Sequence, residues 1–198
     1  MKLERYIAVG FLFILCGCAA MFVPETNDPH EKLKWANELF DRQMRPLPAE
    51  RLINEAITIC TKNNDRECLA QAYITYGFFF RSASILKSQK YYQENGFQDK
   101  TAKYETRYIK SKEYFEKAIP IWTELERFDR LTNAYLNLGF AYEFLDDKAG
   151  ACAPYEKSLE CYRKNIDRNP MANVALPQGF TKYEAYLAVQ QKRAGCIQ

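Results

Sequence analysis

Hydrophobic positions recur along most of the chain at a spacing that indicates pairs of helices. Residues 56–61 match residues 118–123 in the pattern Ala-Ile-x-Ile-x-Thr. The match continues at the same offset through Leu69 with Leu131, Ala72 with Ala134, Tyr73 with Tyr135, Gly77 with Gly139 and Phe78 with Phe140. Each copy combines a helix that has an aromatic, a small and an aliphatic residue at i, i+3 and i+4 with a helix centred on Tyr-x-x-aromatic/Leu-Gly. These repeats predict an all-α chain built from helix pairs.

The two best copies share a set of large and small residues that would pack one helix against the next. The third copy supplies Tyr135, Leu138, Gly139 and Tyr142, then Ala151, Tyr155 and Ser158; the second supplies Tyr73, Tyr76, Gly77 and Phe80, then Ser111, Phe115 and Ala118. This pattern resembles the tetratricopeptide repeat (TPR), over roughly residues 30–165. A weaker first copy, with Leu33, Ala36, Phe40, Ala49, Ile53 and Ala56, is typical of a terminal capping repeat.

The resemblance implies an antiparallel helix-pair solenoid of about three repeats with a concave groove. Pro170 and Pro177 interrupt the chain after the last repeat, so we expect a separate C-terminal helix over residues 179–194. In the TPR family the second face of the first helix of each pair lines the groove. The groove residues implied here are Ile74, Phe78, Arg81, Leu136, Phe140 and Glu143. The alternative is that the C-terminal helix or an insertion packs into the groove and buries them.

An insertion near residues 86–108 separates the two helices of the second copy. It interleaves aromatic and basic side chains, namely Tyr91, Tyr92, Phe97, Tyr104 and Tyr108 with Lys87, Lys90, Lys100, Lys103 and Arg107. Such a mixture can stack on sugars or bases and follow phosphates. The simpler interpretation, which we favour, is a helical hairpin that turns at Asn95-Gly96, with its tyrosines packed and its lysines in solvent.

The N-terminal segment has the charge and hydrophobicity of an export signal. Lys2 and Arg5 precede an apolar run over residues 7–15 that is too short to span a bilayer comfortably. The run ends in Leu15-Cys16-Gly17-Cys18, which resembles a bacterial lipobox, although Cys16 is unusual in its small-residue position. The resemblance implies a signal peptide over residues 1–17, lipidation of Cys18 and a tether over residues 18–29. Ala19 after the cysteine resembles the sorting pattern of Gram-negative outer-membrane lipoproteins, which implies that the protein is anchored in the outer membrane and faces the periplasm.

Composition argues against most catalytic and nucleic-acid-binding classes. The chain of 198 residues has 28 basic and 25 acidic residues, a balance that predicts no nucleic-acid partner. His30 is the single histidine, which excludes most Ser/His/Asp triads and multi-histidine metal sites within one chain. Asp146-Asp147 lies at a predicted helix start, so we interpret it as a helix cap and not as a pair of catalytic carboxylates. We expect no enzyme activity, no metal and no cofactor other than the lipid.

The cysteines fit an oxidising compartment. Without Cys18, five cysteines remain if the signal peptide is removed, so at most two disulfides form and one thiol is left. Cys60 and Cys68 flank a short loop and are candidates for one bridge. Cys152 and Cys161 lie on one predicted helix, too far apart to pair with each other, and either is a candidate partner for Cys196.

The sequence therefore predicts an envelope lipoprotein whose TPR-like domain, residues 30–198, acts as an adaptor or assembly factor. Its groove would bind a segment of a protein partner, and the lipid would hold it at the membrane. An envelope protein that binds or processes cell-wall glycan through the aromatic insertion is the alternative, and a structural homo-oligomer is a third hypothesis.

Overall fold

The computed structural model describes residue 23, residues 25–172 and residues 176–197, and this part of the chain is helical with no β-strand. The predicted signal peptide, Cys18 and half of the predicted tether lie outside the described residues. The helices are α1 (Pro29–Asn37), α2 (Pro46–Lys62), α3 (Arg66–Phe80), α4 (Ala83–Lys87), α5 (Gln89–Asn95), α6 (Arg107–Glu124), α7 (Phe128–Phe144), α8 (Lys148–Arg168) and α9 (Tyr183–Ala194). A π-helical turn, Glu38–Arg42, follows α1. The all-α prediction is confirmed.

Three of the turns between long helices share one backbone shape. Asn64, Glu126 and Asp146 adopt positive φ angles of 54°, 51° and 60°, each two residues after a helix ends. Another helix begins two residues later, and the residues in between, Asp65 and Asp147, cap α3 and α8 by accepting hydrogen bonds from backbone N–H groups. The predicted role of Asp147 as a helix start is confirmed. These three-residue connections hold consecutive helices close together.

The long helices pack mainly on their neighbours in the order α1, α2, α3, α6, α7, α8 and α9. Three buried apolar clusters fill the spaces: the first lies among α1–α3 and the insertion, the second among α3, α6 and α7, and the third among α7, α8 and α9. Tyr73 and Phe78 contact both the first and the second clusters, and Tyr142 contacts the second and the third. The core is therefore continuous along the whole stack.

Two glycines allow paired helices to approach closely. A Cβ atom at Gly77 would lie 2.8 Å from Phe115 Cε1, and one at Gly139 would lie 2.3 Å from Tyr155 Cε1. Beside the first contact, the Ser111 hydroxyl donates a 2.7 Å hydrogen bond to the Gly77 carbonyl. The predicted packing residues are all buried or partly buried: buried are Gly77, Phe80, Phe115, Ala118, Leu138, Gly139, Ala151, Tyr155 and Ser158, and partly buried are Tyr73, Tyr135 and Tyr142.

The insertion differs from the expected helical hairpin. Its first arm contains the short helices α4 and α5, and Gly96 with a φ of 71° makes the predicted turn, but residues 96–106 are irregular. Its rings pack on the first cluster, where the ring centres of Tyr92 and Phe97 lie 4.3 Å apart. Tyr92, Phe97 and Tyr104 are buried in that cluster, whereas the insertion's lysines remain exposed, as expected.

Two disulfides cross-link the helices, and one of them joins the C-terminal helix to the rest of the stack. Cys60 bonds to Cys68 between α2 and α3, and Cys152 of α8 bonds to Cys196 after α9. Cys161 is a buried free thiol. Helix α9 begins at Tyr183, four residues later than expected, because Gly179 adopts a φ of 94° in the preceding turn. None of the helices among the described residues is both long and apolar enough to cross a bilayer.

Candidate functional site

Three of the predicted groove residues surround one open cavity. Arg81 follows the last residue of α3, whereas Phe140 and Glu143 lie one turn apart on α7. Together with Phe144 and Arg193 they line a cavity of about 550 Å³. The contact between α3 and α6 and that between α6 and α7 place Arg81 beside α7. Residues that are more than fifty positions apart in the sequence thus form a single surface.

Arg81 lies among aromatic rings and has no carboxylate partner among the described residues. Its guanidinium carbon lies 4.9 Å from the ring centre of Phe78, and between 5.2 and 6.0 Å from the ring centres of Phe115, Phe140 and Phe144. It donates hydrogen bonds to the backbone carbonyl of Asn137, at 3.3 Å, and to the side-chain oxygen of the same residue. Burial lowers the pKa of Arg81 to about 10, so the group stays positively charged at neutral pH.

Glu143 is fully engaged with groups of the protein. Arg193 of α9 donates two hydrogen bonds to its carboxylate, at 2.8 and 2.9 Å, and the Tyr155 hydroxyl donates a third. Burial acts to raise the pKa of Glu143, but the hydrogen bonds from Arg193 and Tyr155 outweigh it and lower that pKa overall. Because this pair is neutral as a unit, the unpaired charge of Arg81 leaves the cavity with net positive charge.

The other predicted groove residues do not line the cavity. Ile74 is 3% exposed among residues of α6 and α7, and Leu136 is 9% exposed in the cluster that α9 covers. Phe78 is partly buried and packs edge-on against Phe115 at 5.5 Å. Ile74 and Leu136 are therefore core residues, because α3 and α7 carry apolar side chains on both faces and neighbouring helices cover both. The expectation that these two face a groove is corrected accordingly.

Arg193 and Phe144 complete the cavity and were missing from the sequence-based set. Phe144 is 50% exposed at the last position of α7 and stacks on Tyr108, with ring centres 5.0 Å apart. Arg193 comes from α9, the helix that we considered as a possible cover for the groove. The helix covers Leu136 but leaves the cavity open beside it. The candidate pairing of Cys196 with Cys152 was the sequence signal that would have placed this helix near α8.

One cluster of potential metal ligands occurs in the described part of the chain. Ligand atoms of His30, Asp65 and Cys68 lie within 4.8 Å of one another. However, the Cys68 sulfur is bonded to Cys60, and the Asp65 carboxylate caps α3 through the Cys68 N–H at 3.0 Å. Since a disulfide sulfur is not a thiolate ligand, the cluster offers one imidazole and one carboxylate already in use.

No protein-family model matches the chain, and no curated protein matches it. The residues described above form a positively charged, aromatic-walled cavity at the junction of α3, α7 and α9. The five residues that line it include no nucleophile paired with a base.

Proposed function

We propose that this protein is a lipid-anchored protein of the bacterial cell envelope whose TPR-like helical repeats bind a segment of a partner protein. The observation that carries the proposal is the convergence of Arg81, Phe140 and Glu143 on one open cavity. A partner's apolar side chain would contact Phe140 and Phe144, and Arg81 would favour a negatively charged group beside it. Arg193 holds Glu143 in place and presents an exposed edge of its own guanidinium.

Repeated contacts support the TPR-like interpretation. Gly77 against Phe115 in one helix pair corresponds to Gly139 against Tyr155 in the next. The three-residue turns with a positive φ at Asn64, Glu126 and Asp146 recur between the helices. A stack of this kind exposes an extended surface whose residues come from successive helices.

The order of charge, apolar run and lipobox-like cysteine supports the anchor. A Cys18→Ser substitution would remove the acylated thiol, so we expect loss of metabolic palmitate labelling and release of the protein from the membrane fraction. The localisation proposal would be wrong if the substituted chain kept both its label and its membrane association.

The glycan alternative has less support, because three of the rings that it needs are unavailable. Tyr92, Phe97 and Tyr104 are 1%, 1% and 6% exposed, so they cannot stack on a sugar without local unfolding. Tyr91 is the insertion's one strongly exposed ring among the described residues, at 42%. We therefore retain the partner-binding adaptor as the proposed function.

Photo-crosslinking at two equally exposed positions tests the cavity directly. We would place a photoreactive phenylalanine at Phe144, which lines the cavity, and at Val189 on α9, which does not; both are 50% exposed. Crosslinking in cells followed by mass spectrometry should give a protein adduct at position 144 and none at position 189. Identical adducts at both positions would indicate nonspecific proximity and contradict a cavity-directed interaction.

The captured partner then permits an affinity measurement with purified proteins. Phe144→Glu places a charge at the centre of the contact and should weaken binding by a factor of ten or more, about 1.4 kcal/mol or above. Val189→Glu makes the same change at a matched exposed site and should have no effect. Equal affinities for the two variants would overturn the assignment of the partner site.

A further inference from the structure

A second and larger cavity is lined by a different set of residues. It measures about 1020 Å³ and lies between the start of α2 and the insertion. Its lining includes Val23, Leu47, Arg51, Lys87, Lys90 and Tyr91. It shares no residue with the Arg81 cavity. The two sites are therefore distinct surfaces, and the partner-binding proposal does not use this one.

The rim of this cavity combines exposed apolar side chains with positive charge. Leu47 and Tyr91 are each 42% exposed and line the same cavity, so they form an exposed apolar patch on its rim. Lys90 is 89% exposed and lies 4.0 Å from Glu94, the only acidic residue among those lining the cavity. Lys87 has no ion pair among the described residues, and Arg51 is paired with Glu55 at 3.2 Å, outside the cavity. The surface is amphipathic and net basic.

The position of Val23 connects this surface to the membrane. Val23 contacts the first core cluster and lines the cavity, five positions after Cys18. Five extended residues reach at most about 17 Å. A lipid on Cys18 would thus hold the cavity rim within that distance of the bilayer surface. This short reach favours a bilayer over any diffusing partner, because the tether keeps the two surfaces together at all times.

We propose that this basic, apolar surface docks on a bilayer that contains anionic phospholipid, with Leu47 and Tyr91 entering the headgroup region and Lys87 and Lys90 contacting lipid phosphates. The inference depends on the lipid anchor of the proposed function. Tyrosine and leucine side chains at the edge of a basic surface suit the boundary between headgroups and acyl chains.

Lysine footprinting of the full-length acylated protein tests this orientation. We would reconstitute the protein in phosphatidylcholine vesicles with and without phosphatidylglycerol, label surface lysines with an amine-reactive reagent and measure each site by mass spectrometry. Labelling of Lys87 and Lys90 should slow by about fivefold or more on the anionic vesicles, the size expected for one basic residue at an anionic surface. High salt should reverse the effect.

Two lysines serve as internal controls in the same sample. Lys62 ends α2, at the opposite end of that helix from Leu47, and Lys192 lies on α9; both are exposed. Their labelling rates should not depend on lipid composition. Equal slowing at all four lysines, or slowing of Lys87 and Lys90 on pure phosphatidylcholine, would overturn the proposal. So would protection that increases with the number of protein copies per vesicle, which would identify a second copy as the occupant.

A matched pair of substitutions tests the apolar part of the surface. Leu47→Glu changes a 42% exposed residue at the rim, and Leu125→Glu changes a 39% exposed residue after α6. Both should leave the thermal unfolding temperature nearly unchanged, but only Leu47→Glu should restore fast labelling of Lys87 and Lys90. Unaltered protection in Leu47→Glu would overturn the proposal. The intact mass of the protein distinguishes failure of the anchor from failure of docking. An unacylated chain would refute the anchor and this inference together, whereas an acylated chain without lipid-dependent protection would refute this inference alone.

Discussion

Gly77 allows α3 and α6 to approach closely, because a neighbouring side chain occupies the space that a Cβ atom would need. The Phe115 ring lies where a Cβ would stand, with Cε1 at 2.8 Å and Cζ at 3.0 Å. Two effects of adding a methyl group therefore oppose each other. Alanine improves the helix by about 1 kcal/mol relative to glycine, but overpacking a filled core costs about 1–3 kcal/mol.

We expect overpacking to dominate, so Gly77→Ala should lower the free energy of unfolding by about 1 kcal/mol in urea titrations. In a Phe115→Leu background the ring is gone, and the same Gly77→Ala change should become neutral or stabilising. A double-mutant cycle with the wild type, the two single variants and the double variant measures the coupling free energy between the two substitutions. Additive effects would show that the close contact does not limit the approach of these helices.

Glu50 is a buried carboxylate that holds the insertion on the first helix pair. Its Oε1 accepts hydrogen bonds from the Tyr76 hydroxyl at 2.8 Å and from the Gln98 N–H at 2.7 Å. Burial raises the pKa of Glu50 above its ordinary value of 4.5, and the hydrogen bonds reduce but do not cancel this effect. The folded protein thus binds this proton more tightly than the unfolded chain does.

The sign of that shift predicts how stability depends on pH. The contribution of Glu50 is complete below about pH 4.5 and is lost as pH rises through the raised folded-state pKa. Glu50→Gln keeps an oxygen acceptor and removes the charge, so its stability relative to the wild type should increase from pH 4 to pH 8. Urea titrations from pH 4 to pH 8 test this pH dependence, with the substitution Glu94→Gln at an exposed position as control. A difference that does not change with pH would contradict the raised pKa.

Helix α9 is the element on which the Arg81 cavity most depends. It contributes Arg193, its Leu187 is buried against α8, and Cys196 beyond its end is bonded to Cys152. The disulfide spans 44 positions, against 8 for the bridge between Cys60 and Cys68. Chain entropy therefore assigns about 4 kcal/mol to the longer loop and about 2.5 kcal/mol to the shorter one.

Replacing Cys152 and Cys196 by serine should release α9 before the remaining helices unfold. We expect amide exchange over residues 183–194 to become faster, while exchange in α2 and α3 stays as in the wild type. Replacing Cys60 and Cys68 by serine should instead make amide exchange faster in α2 and α3 and leave it unchanged over residues 183–194. Unchanged exchange over residues 183–194 would show that packing alone holds the helix in place.

The described molecule is one stack, because shared side chains join its three apolar clusters. Tyr73 and Phe78 connect the first two clusters, and Tyr142 connects the second and the third. Continuous contacts of this kind favour a single cooperative transition. The tryptophans are placed to test this, since Trp35 packs against the first cluster and Trp122 lies in the second.

Each tryptophan can be made the only reporter by changing the other to phenylalanine. The fluorescence of Trp35 in Trp122→Phe, and of Trp122 in Trp35→Phe, should follow its variant's far-UV circular dichroism through one urea transition. Separate midpoints for fluorescence and circular dichroism within one variant would show that the first helix pair unfolds independently of the rest.

The long helices were predictable because local patterns encode them. The offset matches that pair Gly77 with Gly139 located the close contacts, and the short loop between Cys60 and Cys68 identified one disulfide. Ile74 and Leu136 were misplaced, since a helix that is apolar on both faces does not reveal which face a neighbour will cover. Arg193 was missed because its position depends on the docking of α9, a long-range contact that no local pattern encodes.

The bond between Cys152 and Cys196 also has a consequence for when the Arg81 cavity forms. A newly made chain in a reducing compartment would carry both residues as thiols, and α9 would then be held by packing and the Arg193 ion pair alone. Oxidation would lock Arg193 beside Glu143 and finish the cavity wall. Completion of this cavity wall would in this way depend on the redox state of two cysteines that do not themselves line it.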